Sequence, residues 1–206
     1  TAAVKAPFYN RFKVTFRGRA AHAGLEPEKG LNAIMLASKA LADLPHAGRI
    51  DAESTSNIGI ISGGTARNIV SETCTVEGEV RSIYEDRLER YTKEILDHIR
   101  NVTEELGGQV ETEVERMYSG YSMDESSPII CLLKEAADKA GLPLNLHATG
   151  GGSDTNVING YGIPAVDVSV GMDRVHSTAE RIRISDMEKA CRFLEAIITT
   201  ALTYSR

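Results

Sequence analysis

The feature that most limits the folds open to this chain is a change of hydrophobic period repeated through its first half. Phe12, Val14 and Phe16 alternate with Arg11, Lys13, Thr15 and Arg17, the two-residue period of a strand with one buried face. From Pro27 and Glu28 the period lengthens. Leu31, Ile34, Met35, Ser38, Leu41 and Leu44 recur at helical spacing, behind a proline suited to a first helical turn. A second strand is expected over 57–62, ending at Gly63-Gly64. A third follows where Cys74, Val76, Gly78 and Val80 alternate with Thr75, Glu77, Glu79 and Arg81. Glu85 opens a long helix with the stripe Leu88, Tyr91, Ile95, His98, Ile99, Val102 and Leu106, stopped by Gly107-Gly108. A last strand over 109–117 turns Val110 and Val114 inward. The order β-α-β-β-α-β is the ferredoxin-like split unit and predicts an α+β domain over residues 10–118.

The pattern then changes. Residues 119–126 are polar and aperiodic and mark a boundary. Ser127-Pro128 starts a helix running to Ala140, with Gly141 past its end. A strand over 142–148 leads into Gly150-Gly151-Gly152, where the backbone can bend sharply, and then Ser153 or Asp154 can cap a short helix. A buried strand over 163–170, a loop carrying His176 and a closing helix complete the chain. Ser185-Asp186-Met187-Glu188 reads as a capping box for that helix, with the stripe Ala190, Phe193, Leu194, Ile197, Ile198 and Ala201. Two strands among three helices are too few for a closed core, so residues 119–206 read as part of a larger α/β sheet and residues 1–9 as a linker.

Composition excludes several classes of partner. The net charge is -6 with no sustained Lys/Arg run, which argues against nucleic acid or an anionic membrane surface. No apolar run is long enough to span a bilayer. Cys74, Cys131 and Cys191 are far apart and odd in number, and they read as reduced core thiols of a cytoplasmic protein. The chain opens without methionine and without the charged start and apolar run of a secretory signal, as expected of a piece beginning inside a longer protein.

The polar residues that interrupt these patterns have two readings each. His22 stands among small residues in Gly18-Arg19-Ala20-Ala21-His22-Ala23-Gly24, so its imidazole either satisfies a loop carbonyl or reaches outward. Asn68 follows the diglycine and suits either a turn or a ligand contact. Arg81, on the polar face with Glu77 and Glu79, makes either a cross-strand ion pair or a carboxylate clamp. Strand, glycine turn and helix start at 150–154 form a ligand-facing arrangement. His176, with Glu180 four residues on, follows a strand end, where α/β sheets carry chemistry.

Phe16-Arg17-Gly18-Arg19-Ala20-Ala21-His22-Ala23-Gly24 with Pro27, Gly63-Gly64 then Asn68-Ile69-Val70, Glu79-Val80-Arg81-Ser82, Gly150-Gly151-Gly152-Ser153-Asp154, and His176 with Glu180 occur in one order. Together they resemble the dizinc exopeptidase superfamily that includes peptidase T, the glutamate carboxypeptidases and the aminoacylases, most of all its peptidase T-like branch. The resemblance implies a lid domain over 10–118 inserted into a zinc-binding catalytic domain, whose C-terminal portion is 119–206. It implies that His176 ligates one of two zinc ions that activate water against a short peptide. It further implies a homodimer through the lid, in which His22 reaches the partner subunit's active site and steadies the oxyanion. Asn68 and Arg81 would hold the substrate, Arg81 by its carboxylate. Gly151, Gly152, Ser153 and Asp154 would line the cleft, and Glu180 would support the metal ligand from behind.

The family's upstream His-x-Asp pair, bridging aspartate and Glu-Glu pair have no match. Glu104-Glu105, the adjacent glutamates present, end the long helix. A catalytic zinc needs about three protein ligands, so the chain alone is expected to be inactive and to bind zinc weakly or not at all without a missing N-terminal catalytic half. Two alternatives stand beside this reading. One is a non-catalytic dimerisation or binding module pairing through a sheet edge and a helix. The other is the same hydrolytic machinery acting on N-acyl amino acids.

Overall fold

The computed structural model describes residues 1–204, and its first element lies where the sequence leads one to expect a linker. Ala2–Ala6 is a strand, β1, with Ala2, Ala3, Val4 and Ala6 all buried. Its small apolar side chains let both faces be covered, which no period-two pattern announces. The chain divides into two compact units, one of residues 7–120 and one that joins residues 1–6 to those from 121 onward.

Residues 7–120 comprise β2 (Phe8–Arg17), α1 (Ala33–Ala42), β3 (Gly48–Asp51), β4 (Ser54–Gly63), β5 (Thr73–Ser82), α2 (Glu85–Glu105) and β6 (Gln109–Tyr118). The strands form one antiparallel sheet in the order β3-β4-β5-β2-β6. Phe12, Val14 and Phe16 of β2 and Cys74, Val76 and Val80 of β5 pack against Leu36 and Ala37 of α1 and Leu88, Ile95 and Ile99 of α2. This is the expected split unit with one addition. The strand β3 hairpins onto β4, and its Gly-Arg-Ile-Asp sequence carries no alternation by which to find it.

Two expectations here are corrected. The helix expected from Pro27 is only a 3-10 turn, Pro27–Lys29, and α1 begins after Asn32, whose side chain caps the amides of Ile34 and Met35. Between them Gly30 is extended, and Leu31 exchanges backbone bonds of 2.8 and 2.9 Å with Arg19. That pairing is only open to a glycine neighbour: a Cβ on Gly18 would stand 2.0 Å from the Leu31 carbonyl oxygen. Val114, expected inward, is half exposed because β6 is an edge strand.

The second unit is built on β1, which pairs in parallel with β8 (Leu146–Ala148) and antiparallel with β7 (Tyr121–Ser122) and β9 (Asp167–Val168). The helices are α3 (Pro128–Ala140), α4 (Asp154–Gly160) and α5 (Ile184–Tyr204). Gly141 ends α3 in the left-handed conformation at φ 65°, as its position just past the helix anticipates. Ala2, Val4, Ile130 and Leu133 form the small core, with Phe193 and Ile197 against it.

The expected strands over 142–148 and 163–170 are cut to three and two residues. Pro143 and Pro164 lack the donor a ladder needs, and Ile163 and Val170 are exposed. Ser185 lies inside the first turn of α5 instead of capping it, and the Arg183 carbonyl takes the amides of Asp186 and Met187. Of the stripe on α5, Phe193 and Ile197 turn inward while Leu194 and Ile198 face solvent. The three cysteines are free, but Cys74 alone is buried; Cys131 is partly covered and Cys191 is exposed on α5. Among the described residues no helix is long and apolar enough to cross a membrane.

Candidate functional site

His22 and Asn68 are brought together by backbone pairing. The loop after β2 and the loop between β4 and β5 meet as a short bridge, His22 opposite Ile69. Ala23 donates to the Asn68 carbonyl at 3.0 Å, and Val70 donates to the Ala21 carbonyl at 2.9 Å. The imidazole does not satisfy a carbonyl. Its Nδ1 accepts the amides of Gly24 and Leu25 at 3.1 and 3.2 Å, which places the proton of the neutral ring on Nε2. An exposed loop thus carries an imidazole with its donor nitrogen aimed away from its own backbone. Asn68 sits beside it in a turn closed from Ile69 to Ala66, so the turn reading and a contact through its exposed side chain coexist.

Arg81 lies at the other end of the same sheet. It pairs with Tyr9, whereas Arg17, at the end from which the His22 loop departs, pairs with Thr73. The run from Thr73 to Arg81 puts about 26 Å between these ends at about 3.3 Å per residue. The Arg81 guanidinium makes its ion pair along its own strand and its ring contact across to β2. Nε and Nη2 donate to the two oxygens of Glu79 at 3.0 and 3.1 Å, and the fork lies over the Tyr9 ring, 4.6 Å from its centroid. Burial and the Glu79 carboxylate push the Tyr9 phenol above its ordinary range.

In the second unit the glycine run turns without left-handed backbone: Gly150, Gly151 and Gly152 all lie outside the positive-φ set. Ser153 caps α4, its Oγ accepting from the Thr155 amide at 3.2 Å while the Asn156 side chain accepts from the Ser153 amide at 3.1 Å. The fixing residue is one that no motif signalled. Asp167 of β9 accepts Ser153 Oγ at 2.6 Å and Thr155 Oγ1 at 2.7 Å, clamping the start of α4 to the sheet. Asp154 occupies the first turn of α4, so this helix start carries its own negative charge.

The His176 loop is closed at its base. Asp173 and Arg181 exchange backbone bonds of 2.9 and 3.1 Å, and both Nε and Nη2 of Arg181 donate to Asp173 Oδ2. Within it Arg174 and His176 hold left-handed backbone, φ 56° and 65°, at a cost of about 1 kcal/mol or more each. Glu180 offsets part of that cost through the backbone of His176: Oε2 accepts the His176 amide at 2.8 Å. Glu180 thus grips the main chain of His176, whose backbone is left-handed at this turn.

The donor set does not make a metal centre by itself. Among the described residues no group of three or more His, Cys, Asp or Glu side chains is placed to hold an ion. His176 stands as a single imidazole on an exposed loop.

Comparison with known proteins supplies the family. Residues 9–106 match the peptidase dimerisation domain, and residues 121–193 match the M42 glutamyl aminopeptidases. The Bacillus subtilis protein YqjE, itself uncharacterized, is 39% identical over 198 residues, covering 96% of this chain and 53% of its own length. The crystal structure of aminopeptidase PepT from Bacillus cereus superposes with a TM-score of 0.83 at 39% identity, over 97% of this chain and 53% of that one. A tripeptidase from Staphylococcus aureus gives a TM-score of 0.87 at 34% identity, over 96% and 52%. The chain thus spans about half the length of the relatives it matches. With a dimerisation-domain match on the first unit, an aminopeptidase match on the second and peptidase T-like structures over both, the chain belongs to the dizinc exopeptidase superfamily, within its peptidase T-like group.

Proposed function

We propose that these residues are the lid and the C-terminal catalytic portion of a zinc-dependent, peptidase T-like exopeptidase of the cytoplasm that acts on short peptides as a homodimer. His176 contributes one imidazole to a zinc ion, and the other ligands and the general base come from a catalytic half outside these 206 residues. Alone, the chain is inactive. His22 donates through Nε2–H to the oxyanion, Asn68 contacts the same substrate, Arg81 takes the substrate's carboxylate, and the loop of Gly151, Gly152, Ser153 and Asp154 lines the cleft. The observation that carries the reading is the His22 ring, whose Nδ1 is occupied by two amides so that Nε2 is the donor, as an oxyanion contact requires.

Geometry within the lid adds a constraint. About 26 Å separates the two sheet ends, so His22 with Asn68 and Arg81 of one protomer serve different active sites. A dimer supplies both. In it the His22 end of one lid and the Arg81 end of its partner converge on one peptide. The edge strand β4 supports such pairing: β3 covers it only from Ser54 to Ser56, and Ile60 and Ile61 beyond are exposed. That edge also favours the second reading, a dimerisation module without catalysis.

The test is zinc calorimetry with tripeptide hydrolysis, on this chain alone and on this chain co-expressed with the complementary catalytic half. Zinc uptake and turnover confined to the mixture, both lost in His176→Ala, are expected. Turnover by the chain alone would sink the proposal that it is inactive. A chain that dimerises tightly while neither preparation takes up zinc leaves the dimerisation module as the function.

A further inference from the structure

The seat of Arg81 is already taken. Glu79 and Arg81 lie two residues apart on β5 and so share one face of the sheet, with side chains 27% and 29% exposed for arginine and glutamate. The carboxylate takes the Nε/Nη2 side of the guanidinium with both oxygens, one of the bidentate geometries in which arginine receives a carboxylate. Tyr9 holds the guanidinium plane from below. A peptide carboxylate arriving side-on, at Nε and Nη2, therefore meets an occupied seat.

Glu79 also has a second arginine as its cross-strand neighbour. Arg11 stands directly opposite it on β2, and Asn57 stands opposite on β4. Arg11 spends one nitrogen, Nη2, on Glu115 at 2.6 Å, in a pair exposed by half or more on both sides. Its fork has other donors to offer. A Glu79 displaced from Arg81 exchanges one arginine for another and is not left unpaired, which keeps the cost of displacement low.

We propose that Glu79 is an internal competitor for Arg81: a carboxylate that fills the clamp in the free protein and moves to Arg11 when a substrate carboxylate takes its place. This rests on the assignment of Arg81 to carboxylate binding made above. Glu79 acts as a positioning residue, holding the fork flat over Tyr9 and preformed for a carboxylate. It also sets a threshold. A ligand with a free carboxylate displaces Glu79, whereas an amide-capped peptide has no group to exchange for it, so the clamp discriminates on that one feature.

The experiment follows the Nε–H resonance of Arg81 in this chain by NMR during titration with trialanine and, separately, with trialanine amide. In the unmodified chain trialanine moves the resonance and the amide does not. In Glu79→Gln the trialanine concentration for half-saturation falls about fivefold, the factor an ion pair of this exposure is worth. Glu79→Asp, which keeps the charge, stays within about twofold of the unmodified chain. If Glu79→Gln leaves trialanine binding unchanged while Arg81→Ala abolishes it, competition is refuted and the clamp survives. If Arg81→Ala leaves it unchanged, or trialanine never moves the resonance, the clamp falls and the competitor with it. Equal tightening of the amide in Glu79→Gln also overturns the proposal, because loss of an occupant of the carboxylate seat cannot favour a ligand without a carboxylate.

Discussion

The two units of this chain handle the same problem, a sheet covered by helices, in opposite ways. Residues 7–120 use long strands in one antiparallel sheet and close a core in which Phe12 and Phe16 are at most 1% exposed. The second unit has strands of two to five residues and leaves Tyr161, Ile184 and Leu202 67–80% exposed. The first satisfies its hydrophobic pattern from within. The second carries apolar side chains for which these residues provide no cover, as the proposed missing catalytic half would explain.

The sharpest way to break this comparison is to empty the closed core. Phe12→Ala removes a fully buried ring between the sheet and α2 and is expected to cost about 4 kcal/mol in urea unfolding of residues 7–120. A cost below about 1 kcal/mol would mean that this core is not closed. Gly18→Ala comes next, because its Cβ would fall 2.0 Å from a backbone oxygen that cannot rotate away. About 3 kcal/mol is expected. The His22 amide contacts should loosen with it, visible as faster hydrogen exchange at Gly24 and Leu25.

The difference between the units also governs what sequence could reveal. Strands with one buried face wrote their period into β2 and β5, and the stripe of α2 fixed the long helix. Where burial is two-sided, as in β1, or the strand is a short edge, as in β3, the pattern loses its period and nothing announces the element, whereas β9 is announced as a strand longer than it is. The site divides similarly. Small neighbours around His22 left an open imidazole as one of two readings, and the amides of Gly24 and Leu25 on Nδ1, which put the ring's proton on Nε2, follow from a loop fold that no spacing encodes. Glu79 and Arg81 were visible as neighbours on one polar face, though not whether the pair runs along or across strands. Asp167 had no signal at all, since its contacts to Ser153 and Thr155 cross a loop.

A smaller effect probes the core that the second unit does possess. Tyr121 donates to the Ala3 carbonyl at 2.9 Å, and burial, with the Asp167 carboxylate nearby, pushes its phenol up to about 12. The unfolded chain releases that proton near pH 10, so the folded state binds the extra proton between about 10 and 12. The associated stability is complete below pH 10 and is lost as pH rises to about 12. Tyr121→Phe should remove this part of the alkaline decline and cost about 1 kcal/mol at neutral pH through the lost hydrogen bond. An unchanged alkaline profile would show that β7 and β1 are open to solvent.

The smallest effect is the most informative about the exposed surface. Phe193 and Leu194 are consecutive on α5, one packed against the small core and the other facing solvent. Phe193→Ala should cost about 2–3 kcal/mol in this chain. Leu194→Ser should change stability by no more than about 0.5 kcal/mol, because nothing in these residues covers it. The same holds for Ile198, which shares its face. If Leu194→Ser instead costs as much as Phe193→Ala, and does so in proportion to protein concentration, the outer stripe of α5 is buried between copies of the chain. The contrast between a self-sufficient unit and a dependent one would then be replaced by a contrast between two units that each find their cover, one within the chain and one in a second molecule.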